Sequence, residues 1–443
     1  MPKKYHVTPV FLFFILAIGY YVLRVTLKTR NFPSVENFVS NFQNENKISQ
    51  LKRSSGYSVA KMKNLEDYCF KLMEPNVSDI FTRSAIDFDT HQLSYNLPSG
   101  KFPGCRRYKS ERLDPLIDAP INEVERSFPV AFGILVYKNF EQTEQLFRAI
   151  YRPQNFYCFH IDKTANSTFR NIMRKLISCF PNVIEASSPL DVVWGEHSVL
   201  LAELRCMADL LGLSGAWKYY INLTGEEFPL VTNLELVSVL RELKGANIID
   251  GGFKDVMEDR LPTTMPFNLK KYKGSTHVFL NRKAVDFMIN DRNISETLLN
   301  NLAPLRSTCE AYFAVLQFNP EVNLPGGMTE RPESRLYKVP SVPRHKEWSI
   351  TEAGEFPCIS GFIKRQICML GVKHLPILTR KSYGARLVAN KFPWTFQPLA
   401  YDCMQVWHHS KVEQEYKTGK IAMNISKIVN SSYMKYTRPV EGY

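Results

Sequence analysis

At 443 residues, 44% of them hydrophobic and 12% aromatic, the chain can hold one large α/β domain with extensions or two domains, with ample material for a core. Its net charge of +13 points to anionic ligands, nucleic acid or a membrane surface. No basic run is long enough to form a nucleic-acid arm, so nucleic acid drops out. The scattered cations, clustered locally at Arg106–Arg112 and Leu269–Lys273, read as a solvated surface.

Val7–Leu23 is apolar, follows Lys3 and Lys4, and lies at the short end for a membrane helix. No small-x-small cleavage site follows it, so a signal-anchor is expected rather than a cleaved signal peptide. Arg24, Lys28 and Arg30 come directly after, so flanking charge alone does not set the orientation. Asn-x-Ser/Thr sequons at Asn76, Asn166, Asn222, Asn293, Asn424 and Asn430, together with nine cysteines, set it instead. They fit an oxidising, glycosylating lumen. The expected organisation is a cytosolic tail (residues 1–6), an anchor (7–23), a polar stem (24–65) and a lumenal domain (66–443). Asp87-Phe-Asp89 has the D-x-D form of a metal-nucleotide motif. It precedes the first core strand, whereas such a motif belongs at a strand end, and it reads as surface.

The core begins with four short runs rich in β-branched and aromatic residues: Pro129–Tyr137, Asn155–Asp162, Asn182–Ser188 and Trp217–Gly225. Helix-length segments separate them, namely Glu141–Arg152, Phe169–Cys179 and Ser198–Leu211. The alternation predicts a doubly wound, mostly parallel α/β sheet. Ligands of such sheets sit beyond the carboxyl ends of the strands, where Asp162 falls. Position alone leaves Asp162 open between a ligand contact and a cap on the following turn. Asn222 lies inside a predicted strand, which argues against its glycosylation.

In the second half, Gly274–Arg282 reads as a turn feeding a strand, with a helix from Ala284. Ser307-Thr-Cys-Glu310 opens a further helix and has the form of a capping box. An acidic residue there is commonly plain helix chemistry, but it can also face a cleft as a general base. Lys364 and Arg365 lie between Cys358 and Cys368, whose spacing suits a local disulfide loop. Lys391 is expected near the end of a helix stopped by Pro393. Fixed cations of this kind can clamp a diphosphate where a metal is absent. No cysteine pair has zinc-finger spacing, and spacing leaves the disulfide connectivity open. The odd count leaves one thiol over, and Cys309, beside Glu310, is the expected one. His408-His409 has no third ligand at metal spacing.

The blocks Arg148-Ala-Ile-Tyr-Arg-Pro-Gln-Asn-Phe-Tyr-Cys-Phe-His-Ile-Asp162, Trp217-Lys-Tyr-Tyr-Ile-Asn-Leu-Thr-Gly-Glu-Glu-Phe-Pro229, Gly274-Ser275 and Ala389-Asn-Lys-Phe392 resemble the core 2 / I-branching β-1,6-N-acetylglucosaminyltransferases of glycosyltransferase family 14. The resemblance covers roughly residues 66–410. It implies a GT-A-type fold, a type II Golgi membrane protein, and inverting transfer of GlcNAc from a UDP-sugar to the 6-hydroxyl of an O-glycan or glycoprotein acceptor. No cofactor or divalent metal is implied, and a homodimer is compatible.

Residue by residue, the family's catalytic Glu in Ser-Pro-Asp-Glu-Tyr/Phe-Leu-Trp falls on Glu310, with Thr308 and Cys309 replacing the proline and aspartate. Its donor-binding groups fall on Asp162, near the uridine, and on Arg365 and Lys391, at the diphosphate. Its disulfides carry over as Cys69–Cys403, Cys105–Cys179, Cys158–Cys206 and Cys358–Cys368, leaving Cys309 free. The family's free thiol elsewhere is replaced by Thr224. The acceptor region diverges, and Asp259, Arg260 and Trp348 are loose acceptor candidates. Sites for glycans are expected at Asn76, Asn166, Asn293, Asn424 and Asn430. Rival readings are a UDP-glucose-using branching enzyme, a peptide O-xylosyltransferase-like enzyme, and a non-catalytic glycan-binding descendant.

Overall fold

Strict alternation along buried strands is what builds the core. In β1 (Val130–Val136), Val130, Phe132, Ile134 and Val136 point into one apolar cluster and Ala131 into another. In β2 (Phe156–Ile161), Tyr157, Phe159 and Ile161 share the first cluster, and Cys158 faces the second. This period of two sorts side chains onto the faces of a sheet covered on both sides.

The structure is a computed structural model, and it describes residues 59–77, 82, 85, 102–113, 122–252, 261–334, 344–348, 358–380, 386–425 and 435–443. The proposed anchor and most of the stem, Asp87-Phe-Asp89, Asp259, Arg260 and Asn430 lie outside them. Among the described residues no helix is long and apolar enough to cross a membrane.

After β1 come α1 (Phe140–Ile150), β2, α2 (Ser167–Ile177), β3 (Val183–Glu185), α3 (Ser198–Leu213) and β4 (Tyr219–Thr224). β5 (Glu227–Pro229), α4 (Asn233–Glu242), β6 (Ile248–Gly252), β7 (Lys273–Asn281), α5 (Arg282–Asn290), α6 (Ile294–Leu302) and α7 (Thr308–Phe318) follow. Among the described residues six strands form one sheet in the order β3-β2-β1-β4-β7-β6. β1 to β4 run parallel, and β7 runs antiparallel to both β4 and β6. Helices α1, α2 and α4 contribute Phe147, Met173 and Leu240 to one face; α3, α5 and α7 contribute Met207, Val285 and Phe313 to the other.

A second, small sheet joins β5, β8 (Arg344–His345) and β11 (Val388–Asn390). Between them, β9 (Ile363–Lys364) and β10 (Ile367–Cys368) form a hairpin. Its turn residues Arg365 and Gln366 both have positive φ, 54° and 63°, as a primed two-residue turn requires. The long α8 (Pro398–Thr418) packs Tyr401 and Met404 beside Phe228 and Ala389. The segment expected to be a helix before Pro393 is thus the strand β11. Its backbone pairs on both sides, with β5 and with β8, which outweighs its local helix pattern.

Four disulfides staple this body. Cys69–Cys403 spans 334 residues, Cys105–Cys179 spans 74, Cys158–Cys206 ties β2 to α3, and Cys358–Cys368 closes the β9–β10 hairpin. Cys309 is free and buried.

Gly133 lets β1 and β4 pack: a Cβ there would sit 2.0 Å from the Tyr220 hydroxyl and 2.7 Å from its Cζ. That hydroxyl donates to the buried Glu203 carboxyl at 2.7 Å, so the ring cannot swing away. Gly133→Ala should therefore lower stability by about 1–3 kcal/mol through overpacking, measured as a fall in melting temperature. Wild-type melting of the variant would reject this packing.

Candidate active site

The chain leaves β1 towards β2 and β3 on one side and returns to place β4 on the other. The crevice beyond the carboxyl ends of β1 and β4 is thus the switch point where α/β sheets bind ligands. β1 runs out into Tyr137 and Lys138, and β4 into Gly225, Glu226 and Glu227. β7 is antiparallel, so its first residues, Lys273 and Gly274, lie at this same edge.

Asp162 follows β2 and is buried. Its Oδ1 accepts from the Thr164 amide at 2.7 Å and hydroxyl at 2.6 Å, while Oδ2 accepts from the Val192 amide at 3.0 Å. The carboxylate thus makes the turn cap and also ties that turn to the segment after β3. Neighbouring His160 accepts from the Leu190 amide at 3.0 Å, and burial lowers its pKa.

Glu310 stands in the first turn of α7, with its side chain 32% exposed and 3.9 Å from the Lys273 ammonium. The expected capping box is not formed. Ser307 has φ 54°, in the left-handed region, and its side chain caps nothing. A capping box needs an extended N-cap residue whose amide the glutamate can reach. Here the Ser307 amide instead donates to the Gly195 carbonyl at 2.7 Å. A capping box does form on α4, between Thr232 and Glu235. Next to Glu310, burial pushes the Cys309 thiol up to about 11, which keeps it neutral and unreactive at physiological pH.

The cations come from the small sheet and the hairpin. Lys391 follows β11, and its amide carbonyl accepts from Leu370, just past the hairpin. Burial lowers its pKa; Glu226 raises it, and Arg365 and Lys364 lower it again. These three cations therefore share one field. The guanidinium of Arg365 stacks 3.9 Å over the ring of Trp194, an aromatic that is 58% exposed.

The acidic groups that follow β4 each meet a cation: Glu226 pairs with Lys138 at 3.4 Å, and Glu227 with Arg344 at 2.6 Å. Glu347, Cys368 and His374 bring three ligand-type atoms within 4.8 Å. Cys368 is oxidised in a disulfide, and His374 accepts the Gly371 amide on Nδ1, so its Nε2 carries the proton donated to Glu347. That donor set does not suit a metal.

Of the acceptor candidates, Trp348 is 45% exposed and bridges to Ile367 of the hairpin. The sequon asparagines Asn76, Asn166, Asn293 and Asn424 are exposed, whereas Asn222 is buried and hydrogen-bonded to the Thr276 carbonyl. Sequence reasoning missed Trp194, Lys138, Glu226 and Lys273. None repeats with a period, and each gains meaning only from a partner remote in sequence.

Residues 130–378 match the family model described as Core-2/I-Branching enzyme. A β-1,3-galactosyl-O-glycosyl-glycoprotein β-1,6-N-acetylglucosaminyltransferase of Bovine herpesvirus 4 is 32% identical over 330 residues, 69% of this chain and 73% of that protein. The Homo sapiens enzyme of the same name, numbered 3, is 30% identical over 340 residues, 72% of this chain and 74% of its own. The Ovis aries counterpart is 31% identical over 330 residues.

Beneath the site, burial pushes the Glu203 carboxyl up to about 8, opposed by hydrogen bonds from Tyr220 and Asn222. Its folded value lies above the ordinary 4.5, so the folded protein holds an extra proton across that window and loses stability as pH rises through it. Glu203→Gln should flatten this slope, seen as a smaller difference in unfolding free energy between about pH 5 and about pH 8 than in the wild type. An unchanged slope would show that Glu203 titrates normally.

Proposed function

The chain belongs to the Core-2/I-branching enzyme family, and from that premise we propose that it transfers GlcNAc from a UDP-sugar to the 6-hydroxyl of an O-glycan, forming a β-1,6 branch. The names of its relatives state this linkage and this glycoprotein substrate class. The observation that carries the reading is a convergence. A carboxylate released from helix capping, a set of three cations and the β2-end aspartate all meet at one sheet edge.

Glu310 serves as general base. It takes the proton of the acceptor hydroxyl as that oxygen attacks the anomeric carbon from the face opposite the diphosphate. One displacement inverts the centre, so no second carboxylate is needed. Arg365 and Lys391 receive the charge that grows on the leaving diphosphate. Burial first, and then the like charges of Arg365 and Lys364, depress Lys391, and an arriving anion favours its charged form. This is the task a divalent metal performs elsewhere, and the commitment of Glu226 and Glu227 to cations supports a metal-free reaction. Trp348, exposed beside the hairpin, is suited to stack on the acceptor sugar. The mostly parallel sheet with one antiparallel strand, β7, supports a GT-A assignment. The disulfides and exposed sequons support a Golgi lumenal domain, with Val7–Leu23 as its type II anchor.

The test is transfer to Galβ1-3GalNAc from UDP-GlcNAc, UDP-glucose and UDP-xylose, with EDTA present. Product is expected from UDP-GlcNAc. Glu310→Gln should lower kcat by about 10²–10⁴, and Arg365→Ala or Lys391→Ala should raise the barrier by about 2–4 kcal/mol. Activity that EDTA abolishes, or that survives Glu310→Gln, would overturn the mechanism.

A further inference from the structure

The segment between β3 and α3 touches Asp162, Arg365 and the start of the helix that carries Glu310, although none of the groups assigned to the reaction lies on it. Its Val192 amide donates to Asp162 at 3.0 Å. Its Trp194 ring underlies the Arg365 guanidinium. Its Gly195 carbonyl accepts from the Ser307 amide at 2.7 Å, Glu196 lies 3.6 Å from Arg306, and His197 Nδ1 is 3.1 Å from the Thr308 hydroxyl. Three consecutive residues therefore grip the three residues that open α7, directly before Cys309 and Glu310.

The chemistry of that grip has a specific consequence. The sequence Ser307-Thr-Cys-Glu310 codes for a capping box, in which the Glu310 carboxylate would turn back to the Ser307 amide. Gly195 takes that amide, and Ser307 is held at φ 54°, where the box cannot close. A carboxylate spent on its own helix would be desolvated by its cap and turned from the substrate. We propose that residues 190–197 form a positioning element that denies Glu310 its capping box and couples its placement to the donor side through Trp194 and Arg365, with His197 and Trp194 as positioning residues. This rests on Glu310 as base and Arg365 as the diphosphate cation. It adds that competence of the base is imposed by a neighbouring segment rather than by α7 itself.

The two ends of the element make separable demands. Trp194 covers one face of the guanidinium and leaves its N–H fork free, so its loss loosens Arg365 before any chemistry occurs. His197 holds the Thr308 hydroxyl at the start of α7 and bonds to no donor-side group, so its loss loosens the turn that carries Glu310.

Steady-state kinetics on the full chain test this. His197→Ala should lower kcat on the order of 10- to 100-fold, the scale of a small misplacement of a catalytic group, with donor KM within about twofold. His197→Asn, which restores a polar atom at the Nδ1 position, should recover most of kcat. Trp194→Ala should raise donor KM, and Trp194→Phe should restore it. Ser307→Gly, which keeps the left-handed turn, should remain near wild-type rate. Wild-type kcat in His197→Ala, or equal damage from Asn and Ala, would overturn the inference. Should His197→Ala fail to fold, Thr308→Val against Thr308→Ser poses the same question, and equal rates for the two would overturn it. Glu310→Gln separates the failures: if it is inactive while His197→Ala is fully active, only this inference falls, and if it is active, the base assignment falls first.

Discussion

The pairing of Glu227 with Arg344 is the interaction on which the edge of the site depends. Both are buried, and a charge taken out of water costs several kcal/mol unless it is fully bonded. Here the bonding is dense. Glu227 Oε1 accepts from Arg344 Nε at 2.6 Å and from the Asn390 amide at 2.9 Å; Oε2 accepts from the Thr224 backbone at 2.7 Å. Arg344 also donates to the Asn222 carbonyl, and Tyr401 donates to that of Glu227 at 2.8 Å. One ion pair thus fixes the end of β4, the three strands of the small sheet and α8 to each other. The penalty for removing one partner, about 3–5 kcal/mol in such pairs, favours one rigid geometry between the two sheets.

That rigidity is spent on electrostatics. Lys391 leaves β11 one residue after Asn390, and its successor Phe392 bonds the Glu226 carbonyl at 2.9 Å. The strand that the ion pair locks therefore delivers the cation. Glu226 and Glu227 are paired with Lys138 and Arg344, and they offset only in part the field shared by Lys391, Arg365 and Lys364. Preorganised charge of this sort stabilises a transition state because it need not reorient during the reaction.

The parallel half of the sheet was legible in the sequence for a physical reason. Strands buried on both faces must be continuous apolar runs, and Val130–Val136 and Tyr219–Thr224 can be little else. Short strands escaped that logic. Val388–Asn390 is a strand because β5 and β8 pair with it, and both lie far away in sequence. At the site, the family resemblance indicated Glu310, Arg365 and Lys391, and their field shows Arg365 and Lys391 together. What it could not supply was the environment of each. The Ser307-to-Glu310 pattern states the helix's own preference, and only the fold reveals that Gly195 overrides it. Trp194, an exposed aromatic in an irregular segment, carries no periodic signal at all.

The override shows where local and global preferences part. Three helices obey their sequence: Asn166 caps α2, Thr232 and Glu235 box α4, and Asn281 caps α5. α7, like α1 after Asn139, is opened by a left-handed residue whose side chain caps nothing. A non-glycine residue held in that region costs on the order of 1 kcal/mol, and such strain persists only where its surroundings over-determine it. The surroundings in question are residues 195–197, and the helix they strain is the one that bears the base. Local inconsistency at a functional site, offset by rigid packing elsewhere, is what a fold optimised for chemistry rather than for stability alone should display.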